Sequence, residues 1–434
     1  MSFPRYPSYK DSGVAWLGEV PEHWEVKRLK QNARLLTEKT DRRDHPVALE
    51  NIESWTGRFI STETEFQGEG IAFDANDILF GKLRPYLAKA YRAEFSGEAV
   101  GDFHVMRPAT GIDSRFAQYQ ILNREFIAIV DGSTFGSKMP RASWEFVGGM
   151  KVTTPPLTEQ TQIAAFLDRE TAKIDGLVAE QRRLMELLKE KRQAVISHAV
   201  TQGLNPHAPM KPSGIEWLGD VPEHWKIIRL AYSAVIENGT TPSRENQDYW
   251  LDGDIPWLSS GEVNQYRITE ANEFITSIAL DECSLRLLPK KTIVLGMIGQ
   301  GKTRGLSASL EIEACINQNL AAIVPGKNLE SDYLLYIFQS VYDYLREFGR
   351  GGNQAALNCE ILSAFKVPIP PLEEQFQIRD YLEARVKEFD TLTAEAQRAI
   401  DLLQERRTAL ISAAVTGQID VRGIKIKARA VQYY

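Results

Sequence analysis

The chain has 434 residues and a net charge of −7, with 43% hydrophobic and 25% charged residues. This composition excludes a disordered chain, and the length favours two or three domains. The sequence has no run of about 18 apolar residues, and residues 1–13 lack the basic-then-apolar order of a signal peptide, so we expect a cytoplasmic protein.

Residues that commonly bind metal ions or perform catalysis are scattered along the sequence. Cys283, Cys315 and Cys359 form neither a CxxC pair nor a metal-ligand spacing, and the six histidines form no HxxxH or HExxH arrangement. The sequence also has no GxSxG motif and no Asn/Asp-Pro-Pro-Tyr tetrapeptide. We therefore expect a non-catalytic chain that binds no metal ion and no cofactor.

An internal repeat is the strongest signal in the sequence. KDSGVAWLGEVPEHWEVKRL (10–29) matches KPSGIEWLGDVPEHWKIIRL (211–230) at 13 of 20 positions. The two copies of this segment are 201 residues apart. Two further repeated pairs are 215 residues apart: one pair begins at Val152 and Val367, and the other covers 191–203 and 406–418. Similar ends around different middles indicate one duplicated unit with two divergent middle segments, 25–156 and 226–370.

Within each repeat, one long helix is predicted, over 157–203 and 371–417. A Pro-Pro pair precedes each stretch, and acidic residues fall in the first helical turn. Each helix of about 45 residues would be roughly 65–70 Å long. Apolar residues at alternating spacings of three and four predict a seam, which consists of Ile163, Leu167, Ile174, Leu177, Leu184 and Leu188 on the first helix and Ile378, Leu382, Phe389, Leu392, Leu403 and Leu410 on the second.

The two seams favour an antiparallel coiled coil, since a duplicated unit tends to fold with internal two-fold symmetry. In that register Glu170 would lie near Arg406–Arg407, and Arg385 near Glu190–Lys191. The alternative is that each helix packs separately against its own domain.

The middle segments are mixed in character and follow the same order of elements. Apolar runs at 77–83, 99–108, 291–299 and 320–326 are typical of strands, and 115–130 and 332–347 of helices. Each middle then ends in a polar, glycine-containing loop, 132–143 and 349–358, with amides, hydroxyls and cations suited to contact with bases and phosphates. The alternative for these loops is an ordinary solvated turn.

Residues Gly296–Thr303 match the phosphate-loop pattern GxxxxGK[ST] after an apolar run. A phosphate loop needs a helix that begins at the Lys-Thr pair, and Arg304-Gly-Leu-Ser-Ala-Ser is a poor helix start. We therefore predict a basic hairpin here, with nucleotide binding as the alternative.

Three repeated motifs and one further segment carry a resemblance. They are the twin LGEVPEHW/LGDVPEHW segments (17–24 and 218–225), the twin PPLTEQTQI/PPLEEQFQI helix starts (155–163 and 370–378), the SHAVTQG/SAAVTGQ helix ends, and residues 239–264. Together they resemble the specificity subunit of type I restriction–modification enzymes. The resemblance spans the chain. It implies an α+β fold in which two pseudo-two-fold related target-recognition domains of mixed α/β structure are joined by two long helices. The boundaries would be 1–156 and 204–370 for the domains, 157–203 and 371–417 for the spacer helices, and 418–434 for a basic tail.

The resemblance further implies that each domain recognises half of a bipartite double-stranded DNA site. The helices would dock two methyltransferase subunits, with two restriction subunits as possible further partners. S-adenosylmethionine, ATP and Mg²⁺ would then belong to the partner subunits, which could also supply phosphate contacts that the net charge of −7 disfavours. A coiled-coil adaptor without DNA specificity is a further alternative.

No base-contacting residue transfers from the family by motif, so the candidates depend on position and chemistry. For each of them the alternative is a solvated surface charge. The candidate DNA contacts are Lys82, Arg84, Lys138 and Arg141 in the first domain and Arg244, Lys302, Arg304, Arg350, Asn353 and Gln354 in the second.

Overall fold

A computed structural model describes residues 3–40, 45–62, 69–136, 138–299, 302–347 and 357–424. The chain divides into two compact units. Unit 1 combines Met1–Arg182 with Gln397–Tyr434, and unit 2 is Arg183–Ala396. The division falls inside both long helices, so each unit contains a part of each.

The described residues of unit 1 form two four-stranded sheets, two two-stranded sheets and several short helices. Its strands are β1 Tyr9–Asp11, β2 Glu19–Pro21, β3 Glu25–Arg28, β4 Ala33–Leu36, β5 Lys39–Thr40, β6 Pro46–Val47, β7 Gly70–Phe73, β8 Ile78–Gly81, β9 Ala90–Arg92, β10 Gly97–Val100, β11 Phe103–Pro108 and β12 Lys151–Thr154. Its helices are α1 Leu29–Asn32, α2 Ser114–Ile121, α3 Arg124–Gly132 and α4 Trp144–Gly149, and the long α5 Leu157–Gln202 begins here.

Unit 2 repeats this order of elements. Its strands are β13 Met210–Pro212, β14 Asp220–Pro222, β15 Lys226–Arg229, β16 Ala234–Asn238, β17 Ile255–Leu258, β18 Arg267–Ile268, β19 Glu273–Ile275, β20 Ile293–Gly296, β21 Ser307–Leu310, β22 Cys315–Ile316, β23 Leu320–Pro325 and β24 Lys366–Ile369. Its helices are α6 Ser277–Glu282, α7 Ser331–Ser340, α8 Tyr342–Glu347, α9 Cys359–Ala364 and the long α10 Leu372–Val415, which ends in unit 1.

The sheet topology shows the duplication directly. One sheet has the order β4-β11-β8-β9 in unit 1 and β16-β23-β20-β21-β18 in unit 2. The other is β5-β7-β10-β6 in unit 1 and β19-β17-β22 in unit 2, and each contains one parallel pair, β6·β10 and β17·β22. In both units the strand after the repeated PEHW segment pairs with the strand before the long helix, as β3·β12 and β15·β24. The expected mixed α/β domains joined by long helices are confirmed.

The predicted helix over 115–130 is two helices. Asn123 interrupts the segment, because its side-chain oxygen accepts hydrogen bonds from the backbone N–H groups of Glu125 (2.8 Å) and Phe126 (3.2 Å). An asparagine in this position is a helix N-cap, which begins α3 as a new helix after α2. The segment 332–347 also forms two helices, α7 and α8.

The repeated histidine of each PEHW segment contacts the first turn of the long helix in its own unit. In unit 1, Nε2 of His23 lies 2.9 Å from Glu159, and Tyr6 donates its hydroxyl to the same carboxylate at 2.5 Å. Burial, followed by Glu159, raises the pKa of Tyr6. In unit 2, Glu374 lies 2.8 Å from His224 Nε2 and accepts a bond from the indole of Trp225 at 3.1 Å. These histidines are therefore bonded structural residues at a helix start.

Within each unit the two long helices are antiparallel. In unit 1, Ile163 and Leu167 at the start of α5 share a buried cluster with Ile411 and Ala414 at the end of α10. In unit 2, α5 residues 196–200 share a cluster with the start of α10, including Ile378 and Leu382. The expected antiparallel pairing is present in both units, and the alternative of helices that pack separately is wrong.

The predicted seam is partly displaced by one residue. Ile163, Leu167, Ile174, Ile378, Leu382 and Phe389 are buried, Leu188, Leu403 and Leu410 are half-buried, and Leu177, Leu184 and Leu392 are exposed. In each helix the first three positions of the observed seam are four residues apart, 163-167-171 and 378-382-386, and spacings of three and four residues alternate only after them. The predicted alternation has a spacing of three residues after Leu167, so the observed seam lies partly one residue later along the helix. Since 3.6 residues make one turn, Val178 is buried in place of Leu177.

The predicted ion pairs between the helices are replaced by others. Glu170 pairs with Lys173 and Arg169 on its own helix, and Arg385 pairs with Glu388. Among the described residues, one ion pair links the two helices in each unit: Arg407–Asp175 at 3.0 Å in unit 1 and Arg192–Asp390 at 3.5 Å in unit 2.

These two pairs occupy equivalent positions, because the repeat offset of 215 relates Asp175 to Asp390 and Arg192 to Arg407. Each arginine also contacts its own domain. Arg407 donates to the carbonyl of Trp55 at 2.8 Å, and the Arg192 guanidinium lies 5.0 Å from the ring centroid of Tyr266.

The described part of the chain has neither a membrane-spanning helix nor a group of side chains that could bind a metal ion. None of its helices is long and apolar enough to span a membrane. Its His, Cys, Asp and Glu side chains form no group of three or more that could hold a metal ion.

Candidate nucleic-acid interface

Four predicted contact residues of unit 1 come together on one surface. The turn between the antiparallel strands β8 and β9, residues 82–89, packs against the loop 132–143, and we call these two segments the hairpin–loop surface. Ser137 lies outside the described residues. The Arg84 N–H donates to the carbonyl of Pro140 at 2.9 Å, and the Ala142 N–H donates to the carbonyl of Lys82 at 2.9 Å. The loop is thus bound to the hairpin by its backbone.

Asp102 anchors the two segments to each other through their cations. Its carboxylate accepts two hydrogen bonds from Arg141, at 2.9 and 2.8 Å, and lies 3.7 Å from the Lys82 ammonium. The bonds from Arg141 hold the pKa of Asp102 below its usual value, and Lys82 contributes in the same direction. A two-bond arginine–carboxylate pair fixes orientation as well as charge, so Asp102 orients the side chain of Arg141.

Arg84 and Lys138 are exposed on this surface, and neither has an ion-pair partner among the described residues. Segments 82–89 and 132–143 together contain five Lys or Arg residues and no Asp or Glu, in a chain of net charge −7. Arg84 also has a left-handed backbone, with φ of 50°, as does Ala88 at the end of the same turn, so the turn has a conformation that is strained for residues other than glycine. A local cationic surface of this kind suits contact with phosphates and base edges.

Sequence reasoning missed three exposed apolar side chains on the same surface. Phe135 is 64% exposed, and Tyr86 and Met139 are each about half exposed. The signal was present in the sequence, because large apolar residues stand next to cations in segments that otherwise predict turns. Their exposure could not be deduced from the sequence, since it depends on how the loop packs against the hairpin.

In unit 2 the corresponding hairpin carries Lys302 and Arg304. Strands β20 and β21 pair antiparallel, which confirms the predicted hairpin. Lys302 is exposed, and its carbonyl accepts a bond from the Tyr342 hydroxyl at 2.7 Å. Arg304 is only 8% exposed and donates to the carbonyl of Arg346, so the interior of the unit surrounds much of its side chain. The candidates Arg350, Asn353 and Gln354 lie outside the described residues.

Arg244 lies on a separate part of unit 2, next to the β19-β17-β22 sheet. It makes two bonds to Glu273, at 2.6 and 2.9 Å, and its guanidinium lies 3.8 Å from the ring centroid of Trp250 and 5.1 Å from that of Trp257. The bonds to Glu273 raise the pKa of Arg244. The side chain is held in one orientation while it remains half exposed.

The phosphate-loop alternative is wrong for this segment. After Thr303 the chain forms a turn and enters strand β21, so the helix that would direct its N-terminus at a phosphate is absent from described residues 302–310. Residues 300–301 of the motif lie outside the described residues.

Comparison with known proteins gives a consistent result. Residues 222–401 match the family model of the type I restriction modification DNA specificity domain. The chain is 29% identical over 193 residues to the MjaIX specificity subunit of Methanocaldococcus jannaschii, a match that spans 43% of each chain. It is 21% identical over 438 residues to the MjaVIII specificity subunit of the same organism, covering 93% of this chain and 95% of the relative. A solved chain from a type I restriction–modification system superposes with a TM-score of 0.73 at 19% identity, over 91% of this chain and 98% of that one, which shows a shared fold.

Proposed function

We propose that the chain is a specificity subunit of a type I restriction–modification system, to whose family model and members it is similar, and that each of its two domains recognises one half of a bipartite double-stranded DNA site. The support is the duplicated topology, in which both units present a hairpin at the same place in the same sheet order. Two domains with one architecture and different hairpin sequences suit two half-sites with different bases.

The observation that carries this proposal is the hairpin–loop surface of unit 1. It combines exposed cations, Arg84 and Lys138, with an arginine whose direction is fixed by Asp102. Exposed cations contribute phosphate affinity, while an oriented arginine can donate two bonds to a guanine edge. In unit 2 we propose the same role for Lys302 and Arg244, with Arg304 supporting the hairpin from inside.

We further propose that the long helices dock two methyltransferase subunits and, through them, two restriction subunits. Apolar side chains remain exposed on these helices after the antiparallel packing is complete, in unit 1 at Leu157, Leu177 and Leu402 and in unit 2 at Leu184, Leu187 and Leu392. Adenine methylation with S-adenosylmethionine, and cleavage with ATP and Mg²⁺, would take place in those partners. In this proposal the present chain supplies recognition and no catalytic group.

The test is genome-wide mapping of methylated adenine in cells that contain the methyltransferase partner, with and without this chain. We expect a split motif that appears only with the chain. Replacement of residues 25–156 by the corresponding segment of a relative should change one half of the motif and leave the other half and its distance unchanged. Replacement of residues 226–370 is the matched control and should change the other half.

A coiled-coil adaptor without DNA specificity gives a different result. It would bind the partner subunits, yet neither replacement would change the methylated sequence. That outcome, in cells where the assembled complex is recovered by purification, would overturn the two-domain recognition proposal.

A further inference from the structure

The exposed apolar side chains of the hairpin–loop surface make no ring contact and no side-chain hydrogen bond among the described residues. Phe135 is the most exposed of them, at 64%, and Met139 of the same loop is 49% exposed. Both are flanked by cations, Arg84, Lys138 and Arg141. Large apolar groups on a cationic surface are typical of proteins that insert a side chain between base pairs and bend the duplex.

We propose that Phe135, assisted by Met139, is a wedge that inserts between base pairs of the first half-site and kinks the DNA. The inference rests on the proposed function, because it requires that unit 1 binds DNA. It goes beyond that function by assigning a deformation of the DNA to a named side chain.

The backbone around Phe135 is fixed, as a wedge requires. Phe135 and Arg141 exchange backbone hydrogen bonds at 3.3 and 3.2 Å, and Thr134 donates to the carbonyl of Asp131 at the end of α3, at 3.1 Å. Arg141 is in turn bonded to Asp102. An apolar group on a backbone held at both ends can transmit force to the bases, whereas one on a loose loop would fold back onto the protein.

The charge around the wedge favours DNA over a protein as the occupant. The two segments of the surface hold five cations and no carboxylate of their own, which complements a phosphate backbone, and Arg84 and Lys138 are exposed there for contact with phosphates. Unit 2 offers a parallel, because Ile298 and Lys302 are both exposed between β20 and β21. Aliphatic side chains such as isoleucine serve as wedges as well as phenylalanine.

The experiment uses the complex of the full chain with its methyltransferase partner, bound to a duplex that carries the mapped site and a fluorophore at each end. We expect the wild-type complex to shorten the end-to-end distance, as a kink of roughly 20–90° does. Phe135→Ala should lose most of this shortening and bind roughly ten-fold more weakly, since one stacking contact with a base has about this value. Phe135→Leu should retain the bend. Tyr232→Ala, at an exposed aromatic residue of unit 2, is the control and should change neither quantity.

The alternative outcomes are separable. A bend that persists in Phe135→Ala, with unchanged affinity, overturns the wedge and leaves the proposed function intact. A wild-type complex that prefers no DNA sequence overturns the proposed function and the wedge with it. Loss of the methyltransferase partner from Phe135→Ala would show that this surface is a protein interface, which also overturns the wedge.

Discussion

Substitution of Arg407 by alanine should destabilise unit 1 far more than the equivalent substitution of Arg192 destabilises unit 2. The Arg407 side chain is 9% exposed and its partner Asp175 21% exposed, whereas Arg192 is 21% exposed and its partner Asp390 61% exposed. The repeat therefore provides two equivalent arginine–aspartate pairs that differ in burial.

The magnitude follows from that difference. Removal of one partner of a fully buried ion pair costs about 3–5 kcal/mol. The partial exposure of Asp175 lowers this figure, and the carbonyl of Trp55 loses a donor, so we expect a loss of about 2–3 kcal/mol for Arg407→Ala. An exposed pair contributes about 0.2–1 kcal/mol, so Arg192→Ala should cost about 1 kcal/mol once its contact with an aromatic ring is included.

Hydrogen exchange of backbone amides in the full chain is the appropriate measurement, because it reports the two units separately. Arg407→Ala should accelerate exchange in residues 171–182 and 400–411 by a factor of about 30 to 150, as a loss of about 2–3 kcal/mol implies. Arg192→Ala should accelerate exchange in the equivalent stretches of unit 2 by less than about ten-fold. Equal acceleration by the two variants would refute the argument that burial determines the contribution of this pair.

Three further outcomes are expected. Asp102→Asn should make loop 132–143 susceptible to limited proteolysis at pH 7. The wild-type loop should become susceptible only below about pH 4, because a carboxyl with a lowered pKa stabilises the fold above that range and loses this effect as it is protonated. Gly417→Ala should lower the melting temperature more than Gly203→Ala. Both glycines have a positive φ (78° and 75°), but an added Cβ would lie 2.3 Å from a proline ring carbon at Gly417, whereas the nearest atom at Gly203 would be 3.2 Å away. Lys302→Ala should leave ATP binding by the isolated chain at the background of the wild type in equilibrium dialysis, and saturable binding that the substitution removes would restore the phosphate-loop interpretation.

Periodicity and proline positions were sufficient to predict the long helices, because both signals are local. The stretches of about 45 residues that were predicted correspond to helices of 46 and 44 residues. The phase of the seam was not predictable in the same way, since Leu177 and Val178 are equally apolar and only the partner helix decides which one is buried.

The candidate DNA interface was likewise predictable only in part. Lys82, Arg84, Lys138 and Arg141 were chosen from loops far apart in sequence, and the structure brings them onto one surface. The sequence could not show that Asp102 joins them, because that contact depends on the pairing of β8 with β11. Nor could it distinguish exposed Lys302 from buried Arg304, two positions apart in one turn. Their contact with DNA stays a prediction.

The composition of unit 1 from two separate stretches of chain has a consequence for synthesis on the ribosome. Its buried cluster joins Trp24, Ile163 and Leu167 to Ile411 and Val421, so the N-terminal part of the unit, Met1–Arg182, emerges with an apolar surface that its C-terminal part, Gln397–Tyr434, can cover only after more than two hundred further residues are translated. Unit 2, Arg183–Ala396, is continuous and has all its residues before unit 1 does. The nascent chain thus finishes its second unit first, and at typical elongation rates of roughly 5–20 residues per second the uncovered surface persists for about 10–50 s. During this interval a chaperone, or a second nascent copy, would find the first half of the molecule open to binding.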